Sequence, residues 1–279
     1  MDFKKISVAL LVTGLLLISL GCTTTDNQAE VSAGELESKV VSASSNVSSY
    51  EFVMNTDVSM AANGMNMTVS IGGDGVVSVE DKEMHFNMET GENEFEAYLV
   101  DGLLYENVEF GNTSKWIKIN LSENYSDQWS SSNQLDQMRK LIESSDIEVV
   151  GTEEIDGTEC YKVEVYPSLE EYWSILENTS SLGSSQQSLT GELNVSAMED
   201  AIEEFNATYW ISKDSYLPQK TTLEMDMSIN QEQLDINYNM SIISSVSFES
   251  YNQPVDVVLS EDAENAVPLE NFTINGSGS

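Results

Sequence analysis

Few side chains in this sequence are equipped for covalent or proton-transfer chemistry. There are two cysteines, Cys22 and Cys160, and one histidine, His85, set against 48 carboxylates and 11 basic groups. Nucleophilic attack by Cys160 needs a base to take up the thiol proton. His85 lies in Met84-His85-Phe86-Asn87-Met88-Glu89, an alternation that puts it with Asn87 and Glu89 on the polar side of a strand, where a solvent-side histidine is expected. Paired carboxylates hydrolyse glycosides when two face each other across a cleft, yet no motif selects any pair here. No D-x-[DN]-x-[DN]-G calcium loop occurs either. The expectation is a protein that is not an enzyme and holds neither cofactor nor metal.

Cys22 is the exception. Lys4 and Lys5 precede an uncharged apolar run from Ile6 to Leu20, then Gly21 and Cys22, the arrangement of a lipoprotein signal peptide whose mature chain begins at a lipid-modified cysteine. A run of about 15 residues is short for a membrane-spanning helix, which needs roughly 20, but adequate for a signal. Ser19 and Leu20 depart from the usual residues before such a cysteine, and only Gly21 fits well; an uncleaved N-terminal anchor is the alternative. Either reading leaves the rest of the chain on the extracytoplasmic face of the cell membrane. With Cys22 lipidated, Cys160 has no disulfide partner.

The net charge is −37. A polyanion without clustered Lys and Arg does not bind a phosphate backbone, so nucleic acid is excluded as a partner. Carboxylates spread along the whole chain read as a hydrated surface that keeps a monomer soluble, as in a salt-tolerant host. Asn-x-Ser/Thr sequons begin at Asn46, Asn66, Asn112, Asn120, Asn124, Asn178, Asn194, Asn206 and Asn239, with two more at Asn271 and Asn275. Together they point to a glycosylated surface protein, more naturally archaeal than bacterial.

These features must be carried on a scaffold that periodicity outlines. Ser32-Ala-Gly-Glu35 matches a capping box and opens a helix through Leu36, Val40 and Val41 to about Ser45. From Tyr50 the period becomes two: Tyr50, Phe52, Met54, Val58 and Met60 share one face. Asn63-Gly64 turns the chain, Met65, Met67, Val69 and Ile71 repeat the alternation, and Gly72-Gly-Asp-Gly75 reads as a second turn before Val77 and Val79. Strands at Met84 to Met88, Phe95 to Leu99 and Leu103 to Tyr105 follow, with Asp101-Gly102 a hairpin turn, then Trp116 to Ile119. Leu135, Met138, Leu141 and Ile142 mark a helix, and Ile147 to Ile155 pairs with Glu159 to Tyr166 across Asp156-Gly157. Helical spacing at Leu169 to Leu176 and again at Leu193 to Phe205 predicts two further helices around a Ser-rich stretch. Strands resume at Tyr209 to Ser212, at Leu223 to Ile229 and from Leu234 to Phe248. The fold class is α+β: a strongly curved, open antiparallel sheet, a half-barrel, with helices packed in its concave face.

This order of parts resembles the LolA/LppX family of lipoprotein carriers and lipid-binding lipoproteins. The resemblance rests on the first helix followed by Ser48-Ser-Tyr-Glu-Phe52, on Tyr98-Leu-Val-Asp-Gly-Leu-Leu-Tyr105 before Lys115-Trp-Ile-Lys118, and on Val149-Val-Gly-Thr-Glu-Glu-Ile-Asp-Gly-Thr-Glu-Cys-Tyr161. Tyr209-Trp-Ile-Ser-Lys-Asp-Ser-Tyr-Leu-Pro-Gln-Lys220 and Tyr251-Asn-Gln-Pro-Val-Asp-Val257 extend it. Ser260 departs from the proline common near the end. The resemblance implies a non-enzymatic handler of lipid or lipoprotein cargo in a cavity between sheet and helices. It divides the chain into a signal peptide at 1–21, a flexible tether at 22–31, a LolA/LppX-like domain at 32–268 and a disordered tail at 269–279.

Methionine usage adds a reading independent of family. Met54, Met60, Met67, Met84, Met88, Met225, Met227 and Met240 fall on the apolar strand faces, and flexible thioethers suit a wall that must fit varied chains, although core packing explains them too. Phe52, Trp173 and Tyr238 complete the candidate ligand-binding set. The competing class is a glycosylated cell-surface structural or protein-interaction domain on the same fold.

Overall fold

The computed structural model describes residues 31–62, 64–110, 113–121, 125–167, 201–231 and 236–271. The signal segment, Cys22, Trp173, the sequons at Asn112, Asn124, Asn178, Asn194 and Asn275, and the expected Leu169 to Leu176 helix lie outside them. Val31, assigned above to the tether, is 4% exposed and sits in the main core, so the packed unit includes residue 31. At the other end Leu269–Asn271, expected to begin a disordered tail, forms a 3-10 turn.

Helix α1 (Ala33–Ser44) starts where the Ser32 hydroxyl accepts from the Glu35 amide, satisfying one of the free donors of the first turn, and it buries Leu36 and Val40. Two further helices follow the sixth strand. α2 (Tyr125–Ser132) was not anticipated, and α3 (Gln134–Ser144) carries the expected stripe of Leu135, Met138, Leu141 and Ile142, all buried. Asn133 between them caps α3 by accepting from the Asp136 amide, 3.2 Å away, and also accepts from the Tyr50 hydroxyl at 3.0 Å. One side chain thus fixes both the start of a helix and the tip of a fully buried tyrosine.

The strands are β1 (Ser49–Ala62), β2 (Met65–Ser78), β3 (Glu83–Thr90), β4 (Asn93–Val100), β5 (Leu103–Phe110), β6 (Thr113–Asn120), β7 (Asp146–Ile155), β8 (Thr158–Tyr166), β9 (Ile202–Ser212), β10 (Pro218–Gln231), β11 (Ile236–Glu249) and β12 (Val267–Pro268). They form one open sheet in the order β12-β6-β5-β4-β3-β2-β1-β11-β10-β9-β8-β7. All neighbours are antiparallel except β12 on β6. β1 is the hub: one arm runs outward through β2 to β6, the other through β11 back to β7, and α2 and α3 connect the two outer ends. A four-residue helix, α4 (Glu261–Glu264), precedes β12.

Two sequence expectations are corrected. Gly72 to Gly75 is not a turn; β2 runs through it unbroken, paired to β1 and β3. The ring of Phe52 lies over Gly75, where a Cβ would come within 2.5 Å of it, so glycine provides close approach inside a strand rather than a reversal. The helix expected to run to Phe205 is absent from its last turn, because Ile202 and Phe205 belong to β9, whose residues Phe205, Ala207, Tyr209 and Ile211 alternate in register with β10. The spacing Ile202, Phe205, Tyr209 fits a helix, whereas in the ladder a register shift between Asp226 and Met227 is what returns Ile202 to the face of Phe205.

Because directly paired residues share a face, register assigns one face throughout. Phe52, Gly75, Phe86, Ala97, Glu106 and Ile117 form a row across six strands. On this helix face, Leu36, Val40, Trp129, Leu135 and Ile142 of the helices join Tyr50, Val77, Met84, Leu99, Leu104, Val163 and Phe248 of the strands in one buried cluster. The opposite, outer face is covered over β4 to β6 by the C-terminal segment, where Val257, Ala263 and Ala266 bury Tyr98 and Tyr105.

Candidate functional site

The candidate residues within the described chain converge on the helix face, in rows dictated by register. Met67, Met60, Met240 and Met227 lie directly opposite one another on β2, β1, β11 and β10. The next row holds Val69, Val58, Ile242, Met225 and Phe205. Further along, Met88 and Met54 reach toward each other over Gly73, whose missing side chain leaves them the space. Tyr238, beyond the Met60 row, is 36% exposed, and Met67 is 54% exposed. Met225 and Met227 are buried in a small cluster with Ile202, Phe205, Leu223, Met240 and Ile242. Met60 and Met240 are half-buried.

Phe52 and Met84 stand apart from these. Both are below 8% exposure within the cluster beneath the helices, in contact with protein side chains. Tyr50, fully buried, packs its ring at tilted angles against Phe52, Phe248 and Tyr251 at centroid distances of 5.9 to 6.4 Å. Around Tyr50, Phe52 and Met84, therefore, the face is packed by described side chains of the protein itself. A cleft of about 370 Å³ opens instead at the helix junction, lined by Ser44, Trp129, Asn133, Leu135, Asp136 and Arg139 among others. Its charges are mutually satisfied: Arg139 donates to Asp136 and, at 2.7 Å, to Glu143, while Lys140 lies 3.0 Å from Asp136. Burial acts against ionisation of Asp136, but hydrogen bonds from Arg139, Lys140 and Ser130 hold its carboxyl below the usual range.

One residue that sequence reasoning missed is Glu106. It points to the helix face in the row of Phe86, Ala97 and Ile117, is 1% exposed, and burial pushes its carboxyl up to about 7. The signal was present in its phase with Leu104 and Val108, both two positions away.

The remaining chemically capable groups face outward. Cys160 pairs in register with Ser212 on the outer face, fully buried, and burial pushes its thiol up, which opposes formation of the nucleophilic thiolate. His85 is on the outer face as expected but is half-buried rather than on the solvent side: it stacks on Tyr98 at 4.2 Å and lies 2.9 Å from Glu96, which also accepts from the Tyr98 hydroxyl. Of the sequon asparagines, Asn46 follows α1 and is exposed, and Asn66, Asn120, Asn206 and Asn239 are exposed at strand positions out of phase with the helix face. Among the described residues no helix is long and apolar enough to cross a membrane.

The sequence model of DUF6612, a family of unknown function, matches residues 32–266. No curated protein matches the chain. Among solved structures the chain is similar to the lipoprotein LppX of Mycobacterium tuberculosis, at 14% identity and TM-score 0.44, covering 81% of this chain and 100% of that one. LprF of Mycobacterium bovis is similar at 11% identity and TM-score 0.46, with 81% and 96% covered. A LolA superfamily protein of Nitrosomonas europaea follows at 11% identity and TM-score 0.24, with 82% and 96% covered.

Proposed function

We propose that this chain, which belongs to the DUF6612 family of unknown function, is a lipid-anchored extracytoplasmic protein that takes up a hydrophobic chain on the methionine-rich half of its helix face. The observation that carries the reading is the row Met67, Met60, Met240 and Met227, which continues a face that is fully covered at its other end yet is itself left partly open at Met67, Met60 and Met240. The ligand is a lipid, acyl or isoprenoid chain. Binding is desolvation: about 0.8 kcal/mol accrues for each methylene removed from water, and no bond is made or broken. Thioethers deform to fit chains of different shape. Anchoring through Cys22 holds the 32–268 domain, a monomer, at the membrane from which such a chain is drawn.

The test is native mass spectrometry of the full-length protein isolated from its own membranes, together with displacement of a fluorescent, uncharged long-chain probe from the delipidated protein. Co-purified lipid and a probe affinity that drops on Met60→Ser with Met240→Ser are expected. A ligand-free protein whose probe binding ignores both substitutions overturns the reading. Loss of radiolabelled-palmitate incorporation in Cys22→Ala tests the anchor separately.

A surface-display role on the same fold is favoured by one specific observation, the exposure of Asn66, Asn120, Asn206 and Asn239 away from the helix face. Glycans there leave the methionine face clear, so the two readings are compatible. Glycopeptide mapping should find sugar on these outer-face sites if the reading is right.

A further inference from the structure

Glu106 is almost wholly buried on an apolar face, and neither of its side-chain oxygens has a hydrogen-bond partner among the described residues. An unmatched buried carboxyl is costly, and apolar replacement at such a position is ordinarily neutral or stabilising. Its cross-strand neighbours are Ala97 and Ile117, and along β5 it follows Leu104 of the helix-covered core. It shares a row with Phe52 and Phe86, one step short of the row in which Met54 and Met88 converge. It therefore stands at the border of the filled core, one row from Met54 and Met88 and four rows from Met60 on the same face. On the same face Lys115 of β6 is the next charged group, two positions beyond Ile117 and exposed. The ionic groups of α3, Asp136, Arg139, Lys140 and Glu143, pair among themselves.

We propose that Glu106 is the polar anchor of the ligand site, hydrogen-bonding the uncharged oxygen head of a single-chain amphiphile, a hydroxyl or an ester carbonyl, whose tail lies along the methionine rows. A carboxyl raised to about 7 is largely protonated below neutrality and can both donate and accept there. An uncharged head suits it, whereas a fatty-acid carboxylate would set two acids against each other. The inference rests on the hydrophobic-ligand reading and adds the class of ligand head.

The experiment compares 1-dodecanol with dodecane on the delipidated full chain, in wild type, Glu106→Gln and Glu106→Leu. Wild type should prefer dodecanol. Glu106→Leu should weaken dodecanol binding roughly tenfold, the equivalent of one hydrogen bond to a buried group, and leave dodecane unchanged, while Glu106→Gln keeps most of the preference. If wild type binds neither probe, the hydrophobic-ligand reading itself falls. If it binds both and Glu106→Leu alters neither, only the anchor role falls. A second measurement needs no stable variant: the infrared carbonyl band of the protonated carboxyl should shift when dodecanol is added to wild type, and an unmoved band rejects the anchor.

Discussion

The two ends of the helix face are built on the same strands with the same alternation, yet they differ in what covers them. At the Tyr50 end, aromatic and branched side chains such as Tyr50, Phe52, Val77, Leu99 and Phe248 are sealed under α1, α2 and α3. At the Met60 end, the paired residues are largely methionine, and Met60, Met67, Met240 and Tyr238 keep contact with solvent. The contrast teaches that a strand's apolar face is not one functional category. Stiff side chains with few rotamers specify a fixed core, whereas unbranched thioethers tolerate a changing neighbour.

The sharpest way to break this contrast is Tyr50→Ala. It removes a fully buried ring and the hydroxyl that Asn133 accepts, and urea unfolding should show a loss of about 3–5 kcal/mol. A loss no larger than that at Met60 would abolish the distinction between the two ends.

Next in size is the boundary residue. Glu106 has a folded-state value near 7, above the ordinary carboxyl value of 4.5, so between those two pH values the folded protein holds a proton that the unfolded chain gives up. Wild-type stability is accordingly undiminished by this group below pH 4.5 and falls as pH rises through 7, by up to about 3 kcal/mol. Glu106→Gln, which cannot ionise, should gain on wild type between pH 5 and pH 8 in paired urea titrations. A constant offset between the two would mean the carboxyl is not desolvated.

Asn133→Ala should cost about 1–2 kcal/mol through the lost cap of α3 and the orphaned Tyr50 hydroxyl, and α3 amides should exchange faster with deuterium than those of α1. The smallest effect belongs to Met60→Ala, under about 1 kcal/mol because the side chain is already half in water, with unchanged unfolding cooperativity.

Much of the ladder was legible from short-range chemistry. Asp101-Gly102 and Asp156-Gly157 adopt the positive φ angles that two-residue hairpins demand, and both hairpins form as read. Ser32 and the stripe on α3 likewise announce their helices. What local pattern could not supply was depth. Gly75 looks like a turn residue until Phe52 is found lying over it from a neighbouring strand. Leu103 and Tyr105 obscured the phase of Glu106, because the C-terminal segment covers their side of β5 and both faces of that strand are apolar. The described candidate residues share one face of the sheet, but alternation carries no record of which stretch of that face the helices occupy. Phe52 and Met84 therefore entered the same list as Met60 and Met67.

The pairing of β1 with β11 has a kinetic consequence. Glu51 to Ala62 must meet Glu249 to Tyr238 from well over half the chain away, while β2 to β6 assemble through consecutive hairpins. Topology of this kind makes the final docking slow. In a polypeptide that emerges N-terminus first, the 14-residue edge of β1 waits without its second neighbour until β11 has arrived. Bare strand edges invite association with other nascent copies. The strongly negative charge of the chain supplies a repulsion that keeps such copies apart during that interval, so the acidity serves the newborn molecule before it serves the folded one.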